Sequence, residues 1–212
     1  MAEVIELKTN RLKLRQWKES DLLPFAKMNA DPAVMEYYPS ILSEDESNEM
    51  AKIIKGYISD RCWGFWAVEI IEEKKFIGFV GLHKPTYDLP VKNCVEVGWR
   101  LGREYWGKGY ATEAAKESLR FAFEELDLTE VYSFASVSNK KSWSVMERIN
   151  MVNTGNNFEH PIIPEGHHLK EHVLYKITKN NGTIITYNKS SVWGNQMRTF
   201  ACPTIQTLKV CS

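Results

Sequence analysis

Hydrophobic positions along this chain recur at two periods, and the switches between them divide it into strands and helices. Residues 11–15, Arg-Leu-Lys-Leu-Arg, alternate polar and apolar and predict a first strand. Ser20 and Asp21 offer caps for a short helix toward Asn29, with Pro24 tolerated in its first turn. Ser43 and Glu46 have capping-box spacing, and Met50, Ile53, Ile54, Tyr57 and Ile58 give the following helix an apolar stripe. Apolar runs at 64–71 and 76–83 flank a charged Glu-Glu-Lys-Lys and predict a β-hairpin.

The pattern is sharpest in the middle of the chain. Over 94–101, Val95, Val97, Trp99 and Leu101 fall on one side of a strand, and Cys94, Glu96, Gly98 and Arg100 on the other. Over 110–126, Ala111, Ala115, Leu119, Ala122 and Leu126 line one helical face opposite Glu113, Lys116, Glu117, Arg120 and Glu124. A strand at 131–137, a helix at 139–149 and strands at 152–158 and 171–178 follow, with a loop over 160–170. Strands alternating with helices predict one α/β (α+β) domain over 1–178. The tail, 179–212, is weakly periodic and receives no role.

Composition narrows the class. The chain has 212 residues, 43% hydrophobic and 25% charged, as expected of a globular domain. No apolar run approaches the roughly 20 residues that cross a bilayer. The first residues carry Glu3 and Glu6 where an export signal would be basic and apolar, which predicts a cytoplasmic protein. Lys and Arg balance Asp and Glu at 27 each, but the tail holds four bases and no acid, so residues 1–178 are mildly acidic. That argues against nucleic acid as a partner. Cys62, Cys94, Cys202 and Cys211 form no CxxC pair, and reduced thiols are expected. His167, His168 and His172, with Cys94 or Cys202, fit no zinc spacing, so no metal is expected.

The candidate chemistry lies where the strand at 94–101 runs through a glycine-bearing turn into the helix at 110. Gly107 and Gly109 let the backbone approach a ligand closely and adopt positive φ. The first amides of the helix are unpaired donors at its positive end. Lys108 is unfavourable there with the dipole alone and makes sense beside a bound phosphate. The turn lacks the Ser or Thr of a Walker loop, and Thr112 stands where a dinucleotide fingerprint needs its third glycine. A merely tight helix start is the competing reading.

Several ordered motifs extend this segment: Thr9-Asn-Arg-Leu-Lys-Leu-Arg, Phe65-Trp-Ala-Val, Ile77-Gly-Phe-Val-Gly-Leu, Tyr105-Trp-Gly-Lys-Gly-Tyr-Ala-Thr-Glu-Ala, Asn139-Lys-Lys-Ser-Trp-Ser-Val-Met and His172-Val-Leu-Tyr-Lys. With them, residues 9–178 resemble the GNAT superfamily of acetyl-CoA-dependent N-acetyltransferases, in particular the branch of the ribosomal-protein N-terminal acetyltransferases. The resemblance implies a mixed, mostly antiparallel sheet flanked by helices and splayed between the strands at 94–101 and 131–137. It implies acetyl-CoA as donor and an amine acceptor, a peptide N-terminus or a small molecule. It places the pantetheine arm along the backbone of Trp99, Arg100 and Leu101. The pyrophosphate falls in the turn formed by Gly107, Lys108, Gly109, Tyr110, Ala111 and Thr112. Asn139 is implied beside the pantetheine or acetyl group, and Ser142 near the thioester sulfur as the acid for the leaving thiolate. Glu104 stands where the superfamily usually has Gln or Arg, and Asn150-Met151 replaces its Gly-Phe.

Several alternatives stay open. Glu96, on the strand that would line the cleft, is the candidate general base, or it forms an ion pair with Arg100 on a solvated face. Ser142 and Asn139 are catalytic and binding groups, or simple helix caps. Tyr37, Tyr38 and Trp63 flank the acceptor side, or belong to the core. A chain that binds CoA without turnover, as a sensor or scaffold, is the rival to an enzyme. A monomer or a homodimer fits equally.

Overall fold

The computed structural model describes residues 4–182. The tail beyond 182, with Cys202 and Cys211, lies outside the described residues.

Short strands β1 (Leu7–Lys8) and β2 (Leu12–Arg15) lead to α1 (Leu22–Asn29) and α2 (Glu44–Arg61). The hairpin β3 (Phe65–Ile70) and β4 (Lys75–His83) follows, then β5 (Glu96–Leu101), α3 (Tyr110–Glu124), β6 (Glu130–Ser136) and α4 (Lys140–Arg148). The two-residue strands β7 (Val152–Asn153) and β8 (Phe158–Glu159), then β9 (Glu171–Thr178) and a final turn, α5 (Lys179–Gly182), complete it. The strands form one sheet in the order β1-β2-β3-β4-β5-β6-β9-β7, with β8 also on β9. Every pairing is antiparallel except β5–β6.

That exception is the splay. β5 and β6 meet through a single register pair, Glu96 with Tyr132, and the Tyr132 N–H donates to the Val95 carbonyl at 2.9 Å. Beyond that point the strands part, as expected for this fold. The alternation of side chains sets which helices cover which face. Trp66 of β3 meets Phe121 of α3 edge-on at 5.6 Å, and the buried Ala114, Ala115, Leu119 and Ala122 pack α3 onto that face. Phe79 of β4 meets Phe25 of α1 at 6.1 Å on the opposite face, which α1 and α2 cover.

Three local expectations need correction. Asp21 stands at the N-cap of α1, but its side chain makes no cap bond there, and Ser20 lies in the turn before it. Asp21 instead accepts two hydrogen bonds from Arg15, at 2.7 and 2.9 Å, and one from the Lys18 N–H at 2.8 Å. Arg15 also donates to Glu69 at 2.7 Å, so a buried charge network ties β2, β3 and the start of α1. In α2 the Ser43–Glu46 capping box is present, but Ile53 is 54% exposed and the buried stripe runs through Ala51, Ile54 and Ile58. Residues 152–158 are not one strand. Gly155, at φ +75°, and the Thr154 N–H bond to Leu174 turn the chain between β7 and β8.

Candidate active site

β5 pairs with β4 along one edge, and along most of its length has no strand on the other. Main-chain groups alternate in direction along a strand. The Gly102 N–H donates to the Ile77 carbonyl at 3.0 Å, and the Arg100 carbonyl lies against Gly78, where a Cβ would collide with it. Arg100 therefore turns its backbone toward β4, while Val97, Trp99 and Leu101 direct theirs into the split. Trp106 Nε1 donates to the Leu101 carbonyl at 2.9 Å. An edge centred on Trp99 stays open to pair with an extended, amide-bearing ligand.

The chain then turns through Gly107 at φ +73° and Gly109 at φ +80° and enters α3. Gly109 is the N-cap and supplies no side-chain acceptor, so the first amides of α3 point out of the helix end unpaired by any cap. The turn is held from outside. Arg11 Nη1 donates to the Lys108 carbonyl at 3.1 Å, its Nε donates to Glu113 at 2.7 Å, and its guanidinium lies 4.6 Å from the Tyr110 ring. Thr9 adds a 2.6 Å bond to the other Glu113 oxygen. Across the split, Asn139 caps α4 by accepting from the Ser142 N–H at 3.1 Å. The cap alternative for Asn139 is thus realised, and none of the described residues bonds its amide nitrogen. The Ser142 hydroxyl has no bonded partner among the described residues, and Ser142 lines the cavity described next.

These elements enclose one cavity of about 600 Å³. β5 contributes Trp99, Arg100 and Leu101, the turn Gly107 and Gly109, and α3 Tyr110, Ala111 and Thr112; Asn139 and Ser142 close the far side. Of the residues singled out from sequence, Lys108 and Glu96 do not line it. Residues 11–152 match the family model of the acetyltransferase (GNAT) domain.

The chain belongs to the GNAT acetyltransferase family.

Among relatives, it is 27% identical over 174 residues to the uncharacterized N-acetyltransferase YnaD of Bacillus subtilis, covering 82% of this chain and 96% of that one. It is 33% identical over 127 residues to the FsC-acetyl coenzyme A-N(2)-transacetylase of Aspergillus fumigatus, covering 57% and 53%. A GNAT-family acetyltransferase from Bacillus anthracis superposes with a TM-score of 0.69 at 25% identity, covering 83% of this chain and 99% of that one.

Two charged side chains of this GNAT domain behave differently from a solvated pair. Glu96 and Arg100 share a strand face, yet both are buried and do not bond to each other. Glu96 sits at the closed end of the split, opposite His83 of β4 and Tyr132 of β6. Burial pushes its carboxyl up to about 8. Burial and the nearby Arg61 charge lower the neighbouring His83 to about 4, so that imidazole is neutral. Arg100 reaches the cavity with its side chain, where the sequence pointed to its backbone.

Of the aromatic candidates, Tyr37 and Tyr38 line the cavity, whereas Trp63 is core. Sequence reasoning missed other wall residues. Lys141 and Arg148 enter from α4, and their seven-residue spacing, two turns on one face, was the available signal. Arg11 carried none beyond its place in the first motif. Among the described residues, no group of three or more His, Cys, Asp or Glu can hold a metal, and no helix is long and apolar enough to cross a membrane.

Proposed function

We propose that this domain moves the acetyl group of acetyl-CoA to an amine by direct attack. A single arrangement carries the reading: one cavity joins the open edge of β5, the uncapped start of α3 and the start of α4. Each part suits a different part of the donor. The edge at Trp99 suits the amides of the pantetheine arm, and the amides of Tyr110, Ala111 and Thr112 suit a pyrophosphate. Lys108 lies beside that turn, its Nζ 5.7 Å from the Tyr105 ring centre, as a further cation for phosphate. The relative named for acetyl coenzyme A supports the same donor.

The chemistry requires a neutral amine, a polarised thioester and a proton for the thiolate. In this reading the amide nitrogen of Asn139 donates toward the pantetheine or acetyl region, and the Ser142 hydroxyl gives its proton to the departing sulfur. Glu96, with its raised carboxyl, stands behind the cavity wall at the closed end of the split, so in this reading it takes the amine's proton through an intervening water, and it acts as pH approaches 8. The acceptor is a peptide N-terminus or a small amine, and the protein works in the cytoplasm as a monomer or a homodimer. Calorimetric titration with CoA tests the reading. One site per chain is expected, and a parent protein that does not bind CoA overturns it.

A further inference from the structure

We propose that the amine accepted by this site also carries a carboxylate, and that the side chain of Arg100 binds it. The inference deepens the acetyltransferase reading and rests on it. Arg100 is only 6% exposed, yet it forms a wall of the cavity. Among the described residues no Asp or Glu pairs with it. A buried guanidinium without a counter-charge is costly, and an anionic ligand removes that cost on binding.

The geometry specifies how the ligand binds. Nη1 is occupied, donating to Asn29 Oδ1 at 2.8 Å and to the Met50 sulfur at 3.7 Å. Nε is buried from solvent and has no partner, and Nη2 is bonded to none of the described residues. A carboxylate that meets Nη2 and draws the guanidinium toward the cavity satisfies both groups through two parallel N–H···O bonds. The plane of the group is already fixed, with the Tyr38 ring centre at 4.0 Å and the Phe79 ring at 5.5 Å. Stacking leaves the in-plane donors free.

Position separates Arg100 from the donor's phosphates. Its side chain enters among Asn29, Met50, Tyr38 and Phe79, on the face covered by α1 and α2, while the glycine turn opens onto α3 on the other face. The cavity wall supports the same class of acceptor. Its lining residues include Arg100, Arg148 and Lys141, the last paired with Glu36 at 3.5 Å, and no carboxylate, so a polyamine would meet a net like charge.

Steady-state thiol release from saturating acetyl-CoA tests this with matched acceptors. The panel comprises amino acids against their carboxamides, N-terminal peptides with Asp or Glu at the second position against Asn or Gln, and spermidine. The first two arms distinguish a free amino acid from an acidic peptide as the carboxylate's source. The carboxylate member is expected to be favoured about 10-fold or more in kcat/KM, the scale of 1.4 kcal/mol. Arg100→Gln and Arg100→Lys should each erase that preference through KM while the CoA Kd holds. Equal use of matched pairs, preference for spermidine, or inert carboxylate-bearing amines with CoA bound would each overturn the inference. So would Arg100 variants with weakened CoA binding. A parent that neither binds CoA nor releases thiol instead sinks the acetyltransferase reading, and this inference with it.

Discussion

Gly109, at φ +80°, both closes the turn and caps α3, so two substitutions there separate folding from binding. Gly109→Ala adds a Cβ whose nearest neighbour among the described residues is Arg11 Nη2 at 3.5 Å, an ordinary contact. The loss is therefore conformational, about 1–2 kcal/mol for left-handed backbone, or several degrees of Tm in a domain of this size. Gly109→Glu carries the same backbone cost but sets a negative charge at a helix N-terminus beside Arg11, which offsets it by about 0.3–1 kcal/mol. It should melt no lower than Gly109→Ala. Toward a pyrophosphate the sign reverses. One like charge at ~5 Å, in an effective dielectric of ~20, costs about 3 kcal/mol. CoA affinity should then fall on the order of a hundredfold or more, while Gly109→Ala loses far less. Calorimetric titration of CoA beside thermal melts reads both quantities. A folded Gly109→Glu protein that binds CoA like its parent refutes the phosphate assignment.

The other predictions concern the proton path and the tail. Ser142→Ala should leave the CoA Kd nearly unchanged and lower kcat about 10- to 100-fold; unchanged kcat would pass the acid's role to water or another group. Because burial holds the Glu96 carboxyl near 8, the folded chain keeps a proton that the unfolded chain sheds at ordinary carboxylate pH. That contribution to stability is full below the unfolded value and is lost as pH rises through 8, so Glu96→Gln should gain Tm relative to the parent between pH 5 and 9. In rates, the parent's advantage over Glu96→Gln should grow toward pH 8, whereas an unperturbed base would show a shrinking one as the amine loses its own proton; a ratio flat with pH removes Glu96 from catalysis. A chain truncated after Gly182 should melt cooperatively and bind CoA, and loss of that transition would make the tail part of the core.

The parts of this molecule that obey local rules were legible in its sequence. Alternation in β5, the amphipathic face of α3 and the paired glycines before it place the strand, the turn and the helix without reference to anything distant, while the open edge of β5 followed only from the family resemblance. The parts decided by distant partners were not. Asp21 has the right identity for a cap, but Arg15, six residues away and buried, claims its carboxylate. Arg100 shows the correct strand parity, yet periodicity assigns only a face. Its bond to Asn29, 71 residues away, fixes where the guanidinium points. The same limit applies to Glu96, whose surroundings at the closed end of the split turn an expected surface carboxylate into a buried one. Even Ile53 fails for a geometric reason, since it lies about 100° around the helix from Ile54.

The most direct test of the central claim follows both products of one turnover. Parent protein is incubated with acetyl-CoA and the acceptor panel; free thiol is titrated while mass spectrometry counts acetyl groups on the amine and on the protein. Direct transfer predicts one thiol per acetylated amine, dependent on both substrates, and no acetyl group retained on the protein. Thiol release without an acetylated amine, or an acetyl-protein formed at the rate of turnover, would contradict it.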